Sequence, residues 1–106
     1  MFVAMNRFQV RRGQEDAFEK IWLSRDSHLE KVPGFVQFDL LKGPETEEYT
    51  LYASHSTWAN RDAFEAWTRS EEFRAAHKGA RPNTDIYIGG PKLELFDSIQ
   101  KVKAQS

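Results

Sequence analysis

The sequence predicts an α+β domain on the ferredoxin-like plan β-α-β-β-α-β: a four-stranded antiparallel sheet with helices on one face and the second helix split in two. Three observations lead there. Residues 2 to 10 alternate with the period of a strand, and two further β-rich runs adjoin one another in the middle of the chain. Apolar residues recur at helical spacing between Gln14 and Val32 and again after Asn60. Pro33-Gly34 and Gly79 fall where those helices have to stop. With 106 residues the chain can build one core, so residues 1–106 are expected to form a single domain with a frayed tail over 101–106.

Taken in order, Phe2, Ala4, Phe8 and Val10 define one face of the first strand, with Asn6 among them. Met1, Val3, Met5, Arg7 and Gln9 define the other. Phe18, Ile21, Trp22, Leu29 and Val32 mark one long helix over Gln14–Val32. The runs Phe35–Lys42 and Tyr49–Thr57 are rich in β-branched and aromatic residues and flank a polar turn, residues 43–48, so they read as an antiparallel hairpin. Asn60 caps a helix through Trp67, and Ser70 with Glu71 and Glu72 starts a fresh one that ends at Gly79. A Gly/Pro/Asn-rich loop over 81–91 leads to a last strand, Lys92–Ile99. Apolar residues on both faces of the first strand imply that the face away from the helices is covered as well, and a second copy of the sheet would cover it, making a homodimer with its sheets packed into a barrel.

Composition narrows the chemistry. A hydrophobic content of 40% with 29% charged residues excludes a disordered chain. Fifteen basic against sixteen acidic residues, without a basic block, argue against nucleic acid as a partner. The absence of cysteine removes disulfides, thiolate nucleophiles, iron–sulfur clusters and thiolate-bound haem, so a metal has to be held by His or carboxylate. No apolar run approaches the roughly 20 residues of a membrane span, and the cytoplasm is the expected location.

Four residues fit a plain core poorly. Asn6 puts a primary amide on the helix-facing side of the first strand, where it must be satisfied by nearby backbone or by a ligand. His77 lies on the apolar face of the last short helix, in its final turn, and reads either as a metal ligand or as a packed histidine. Trp67 lies on the inner face of the preceding helix with Ala63 and Phe64. In one continuous helix Trp67 and His77 would stand about 15 Å apart along the axis, but a bend at Ser70 lets both border one pocket. Arg25, at the edge of the long helix's buried stripe, invites an anion or snorkels to water.

The run Thr57-Trp58-Ala59-Asn60-Arg61-Asp62-Ala63-Phe64-Glu65-Ala66-Trp67, continuing through Ser70 and Phe73 to Ala76-His77, resembles the IsdG-type haem-degrading monooxygenases of the antibiotic biosynthesis monooxygenase superfamily. Asn6, Trp67 and His77 match the three residues on which that branch depends, and Pro33-Gly34-Phe35 is similar to its helix-to-strand junction. The resemblance implies an oxygen-dependent haem oxygenase in which haem is both cofactor and substrate. His77 would be the axial ligand of the haem iron, Asn6 the amide on the opposite side of the porphyrin, Trp67 a wall that presses the ring out of plane, and Arg25 a contact to a propionate. An external reductant or reductase would supply electrons, and ring opening would free iron and leave a bilin-like product. A cofactor-independent monooxygenase acting on a quinol or aromatic, or a non-enzymatic haem-binding dimer, are the alternatives left by the sequence.

Overall fold

The computed structural model describes residues 1–24, 29–70 and 85–104. Its elements run β1 (Phe2–Arg11), α1 (Glu15–Leu23), a 3₁₀ turn (Leu29–Lys31), β2 (Phe35–Glu45), β3 (Tyr49–Trp58), α2 (Arg61–Thr68) and β4 (Lys92–Asp97). The strands form one antiparallel sheet in the order β2-β3-β1-β4, the ferredoxin-like arrangement that the periodicities predict. The expected helix following Ser70 lies outside the described residues. Among the described residues no helix is long and apolar enough to cross a membrane.

The β1–β3 register is unbroken from Phe2 opposite Trp58 to Arg11 opposite Tyr49. The helix-facing side therefore carries Phe2, Ala4, Asn6, Phe8 and Val10 on β1 and Thr50, Tyr52, Ser54, Ser56 and Trp58 on β3. Two aromatic cores form on this side, one at each end. Phe2, Ala4, Leu29, Trp58 and Phe64 build the first, beneath α2. Phe8, Val10, Phe18, Tyr52 and Ile86 build the second, beneath α1.

Polar contacts pin α1 to the sheet. Glu15 at its first turn accepts a hydrogen bond from the buried hydroxyl of Thr50 at 2.8 Å, and one turn later Glu19 accepts one from the Tyr52 hydroxyl. Hydrogen bonding by its own backbone N–H, helped by the Thr50 hydroxyl, holds the Glu15 carboxyl below the usual carboxylate range. Burial, followed by the bond to Glu19, pushes the Tyr52 phenol well above its ordinary value, so it serves as a neutral donor.

Two expected elements are shorter than their patterns. The helix foreseen over Gln14–Val32 ends at Leu23, because Ser24 closes it with its N–H on the Lys20 carbonyl at 3.1 Å and its hydroxyl on the Ile21 carbonyl at 3.2 Å. Leu29–Lys31 then form a separate 3₁₀ turn, in which the Val32 N–H bonds the Leu29 carbonyl. The last strand ends at Asp97 rather than Ile99, which is almost fully exposed. Conversely, the hairpin turn is tighter than 43–48. A bulge carries β2 through Glu45, and the Thr46 hydroxyl accepts from the Tyr49 N–H at 3.0 Å.

Pro33-Gly34, foreseen as the stop of the first helix, instead follows the 3₁₀ turn and leads into β2. Gly34 has φ +81°, and a Cβ there would collide with the Cβ of Ala63 on α2. Its carbonyl accepts the Ala59 N–H at 2.7 Å, so this one residue seats the start of β2 against the approach to α2. Gly34→Ala is expected to cost at least ~2 kcal/mol, combining the left-handed backbone penalty with overpacking. Urea denaturation checks this, and an unchanged midpoint would show that Gly34 is not under steric constraint.

Candidate functional site

Between the two cores runs a middle row of side chains, one from each strand: Leu40 on β2, Ser54 on β3, Asn6 on β1 and Leu93 on β4. Strand parity puts all four on the helix-facing side. Asn6 is the amide the sequence singles out, and its setting is unusual. Its Oδ1 is buried and has no hydrogen-bond partner among the described residues. Backbone satisfaction, the ordinary alternative for such an amide, is not what the fold provides. On β4 the helix-facing Leu93 is 57% exposed and Leu95 38% exposed, so an apolar, uncovered strip lies directly beside the buried amide.

Trp67 forms the aromatic border on the α2 side. Its helix begins as foreseen, with the Asn60 side chain accepting the Ala63 N–H at 2.8 Å, a cap worth ~1 kcal/mol. At its C-terminal end, Ser70 donates both its N–H (2.9 Å) and its hydroxyl (2.6 Å) to the Trp67 carbonyl. The indole lies on Trp58 with ring centroids 5.2 Å apart and on Phe64 at 6.2 Å. Trp58 is fully buried and donates its Nε1–H to the Ser56 hydroxyl at 3.0 Å, so Trp67 rests on a fixed partner.

The opposite border comes from α1. Trp22 stacks on Phe38 at 6.1 Å with an interplanar angle of 14°, and meets Phe8 edge-on at 5.5 Å. Tyr87 packs on Phe8 and Phe18. It belongs to the loop expected to be irregular, yet residues 86–88 are tied to β1: Arg11 donates its N–H to the Ile86 carbonyl at 2.7 Å and Ile88 to the Gln9 carbonyl at 2.9 Å. The middle row is therefore flanked by aromatic side chains at both ends, with polar groups only at its centre. Such a surface suits a flat, largely apolar ligand that brings a polar group to Asn6.

Asn6 and Trp67 thus border the same core, Asn6 two residues beyond Ala4 and Trp67 packed against the cluster that contains Ala4. His77 and Arg25 lie outside the described residues. Ser54 and Leu93 were not singled out by sequence reasoning. The parity of Thr50, Tyr52, Ser54, Ser56 and Trp58 along β3 holds the signal for Ser54, but only pairing with β1 places it beside Asn6.

With this geometry in view, comparison with known proteins gives a consistent result. The antibiotic biosynthesis monooxygenase family profile matches residues 1–79, and the chain belongs to that family. A haem oxygenase (mycobilin-producing) of Mycobacterium tuberculosis is 35% identical over 93 residues, covering 88% of this chain and 85% of that protein. A haem-degrading monooxygenase of Shouchella clausii is 29% identical over 97 residues, covering 92% and 89%. The solved structure of the haem-degrader MhuD of M. tuberculosis, with two haems bound in its active site, superposes with a TM-score of 0.74 at 31% identity, over 97% of this chain and 100% of that one.

A buried carbonyl oxygen without a partner is a cost carried by the ligand-free fold. Asn6→Leu is accordingly expected to stabilise the chain by ~1 kcal/mol, the desolvation penalty that is relieved. Thermal unfolding of the two proteins checks it, and a lower Tm for the variant would mean that the amide serves the fold.

Proposed function

We propose that this chain is a haem-degrading monooxygenase, and that porphyrin binds over the middle row of the sheet. The observation that carries the reading is Asn6 Oδ1, buried without a partner among the described residues, in a row whose outer members are Leu40 and the exposed Leu93. An amide kept there in spite of its cost needs a ligand to satisfy it. The names of the family's relatives supply the ligand class: two are haem-degrading enzymes, and one solved neighbour holds haem in its active site. The described residues suit a tetrapyrrole, with indole and leucine surfaces for the ring and one amide for a polar contact over it.

Bound haem would supply the iron redox chemistry and would itself be the molecule consumed, with dioxygen and an external reductant or reductase as co-reactants and a bilin-like product. The protein's own contribution is placement. His77 would hold the iron through a neutral imidazole, and no cysteine thiolate competes for it. Asn6 would offer its side-chain amide as the polar contact in the site. Trp67, held by Trp58 and by the closed end of α2, would form an aromatic wall against the porphyrin. Arg25 would pair with a propionate.

The side of the sheet away from the helices is proposed as the homodimer interface, packed into a barrel. It presents Val3, Met5, Leu41, Leu51 and Phe96, with Leu41 and Phe96 each more than 40% exposed in the single chain. Sedimentation at micromolar concentration is expected to give a dimer, and a monomer would overturn this assignment.

Hemin titration tests the main reading. The unsubstituted chain is expected to shift the Soret band, and His77→Ala to weaken binding by more than roughly tenfold, the loss typical of removing even an outer-shell partner of a metal site. Asn6→Ala is expected to bind hemin yet bleach it on the order of 100-fold more slowly with ascorbate in air, as for loss of one aligned donor. Trp67→Phe should slow bleaching while keeping the fold. No Soret shift in the unsubstituted chain would sink the proposal in favour of a cofactor-independent oxygenase. Binding without bleaching would make the protein a haem carrier.

A further inference from the structure

Five side chains of β3 face the helices, and four of them are accounted for. Thr50 donates its hydroxyl to Glu15 and Tyr52 to Glu19, Ser56 donates to the Ala4 carbonyl while accepting from Trp58, and Trp58 fills the first core. Ser54 alone makes no hydrogen bond among the described residues, and it is only partly buried. Its cross-strand neighbour is Asn6, whose Oδ1 is likewise without a partner. Leu40 and Leu93 complete the row on either side. The only two side chains in the row able to hydrogen-bond therefore stand next to each other, at its centre.

Serine is a weak choice for an inner strand, where β-branched residues pack better. A valine or isoleucine at position 54 would stand between Tyr52 and Ser56 on this face and put a branched side chain directly beside Asn6. The hydroxyl takes up less space there and offers a polar group instead. Neighbouring strands lie about 4.8 Å apart, so one small molecule can sit between the two side chains at about 2.8 Å from each, as a bridging water does.

We infer that Ser54 is a second hydrogen-bonding residue of the site: its hydroxyl and the Asn6 amide together hold one small oxygen- or nitrogen-bearing ligand above the middle of the sheet. The inference rests on the haem reading and deepens it, since the ligand concerned is the small molecule that shares the site with the porphyrin. A hydroxyl can donate or accept as the ligand requires, whereas an amide has fixed donor and acceptor ends. Asn6 then sets direction, and Ser54 adapts to the charge that builds on the ligand.

Cyanide added to the ferric hemin complex is the probe, followed by absorbance. Ser54→Ala is expected to retain the hemin Soret shift and to weaken cyanide binding about three- to tenfold, the effect of losing one hydrogen bond. Ser54→Thr, which keeps the hydroxyl, is expected to restore affinity, and Ser54→Ala is expected not to lower the Tm, as it would if the hydroxyl were structural. Unchanged cyanide affinity in Ser54→Ala, with hemin bound, would overturn the role of Ser54 and leave the haem reading intact. Failure of the unsubstituted chain to take up hemin would instead overturn that reading, and this inference with it.

Discussion

Taking a carboxamide oxygen out of water without giving it a partner costs on the order of 1–3 kcal/mol, and no hydrogen bond among the described residues recovers that cost at Asn6. The residue lies on the central part of β1, hydrogen-bonded to β3 on one side and β4 on the other. It has no freedom to turn outward without breaking the register that buries Phe2, Ala4, Phe8 and Val10. The same pairing that builds the core thus holds the amide inward. Everything proposed about the site depends on this constraint: a polar group fixed by the sheet, in a row that is exposed at Leu93.

Among the described residues, the two helices are seated toward opposite ends of the sheet. α1 is pinned toward one end of β3, through Thr50 and Tyr52, and α2 toward the other, through Trp58 packing on Phe64 and Trp67. Gly34 brings the approach to α2 so close to β2 that the helix has no alternative seat, and Asn60 fixes where it begins. Both helices are short, and each covers one aromatic cluster. The long helical pattern over Gln14–Val32 is interrupted at Ser24, which leaves α1 over its one cluster.

Much of this was legible in the sequence, for identifiable reasons. The period-2 run through Asn6 gave both the strand and the anomaly, since an amide in a line of buried apolar residues stands out without any structure. Asn60 is a local signal whose chemistry does not depend on distant contacts, and it marks the start of α2 correctly, whereas Pro33-Gly34 precedes β2 but does not end the helix, which stops at Leu23. The end of α1 was missed because the apolar spacing of Leu29 and Val32 continues the helical pattern, while the competition from Ser24 is a local hydrogen bond that periodicity cannot register. Ser54 was missed because its meaning is purely relational. It is an ordinary serine until β3 pairs with β1 and sets it against Asn6.

On the proposed reading, a porphyrin lies over the row Leu40, Ser54, Asn6 and Leu93, on the helix side of the sheet. The most direct measurement is an NMR titration of isotopically labelled protein with gallium protoporphyrin, a diamagnetic stand-in for haem. Shifts should concentrate on the Asn6 side-chain amide, the Leu93 and Leu95 methyls and the Trp67 indole N–H, and should spare Met5 and His55 on the other face. An Asn6 amide resonance that does not move while the ligand binds elsewhere would contradict it.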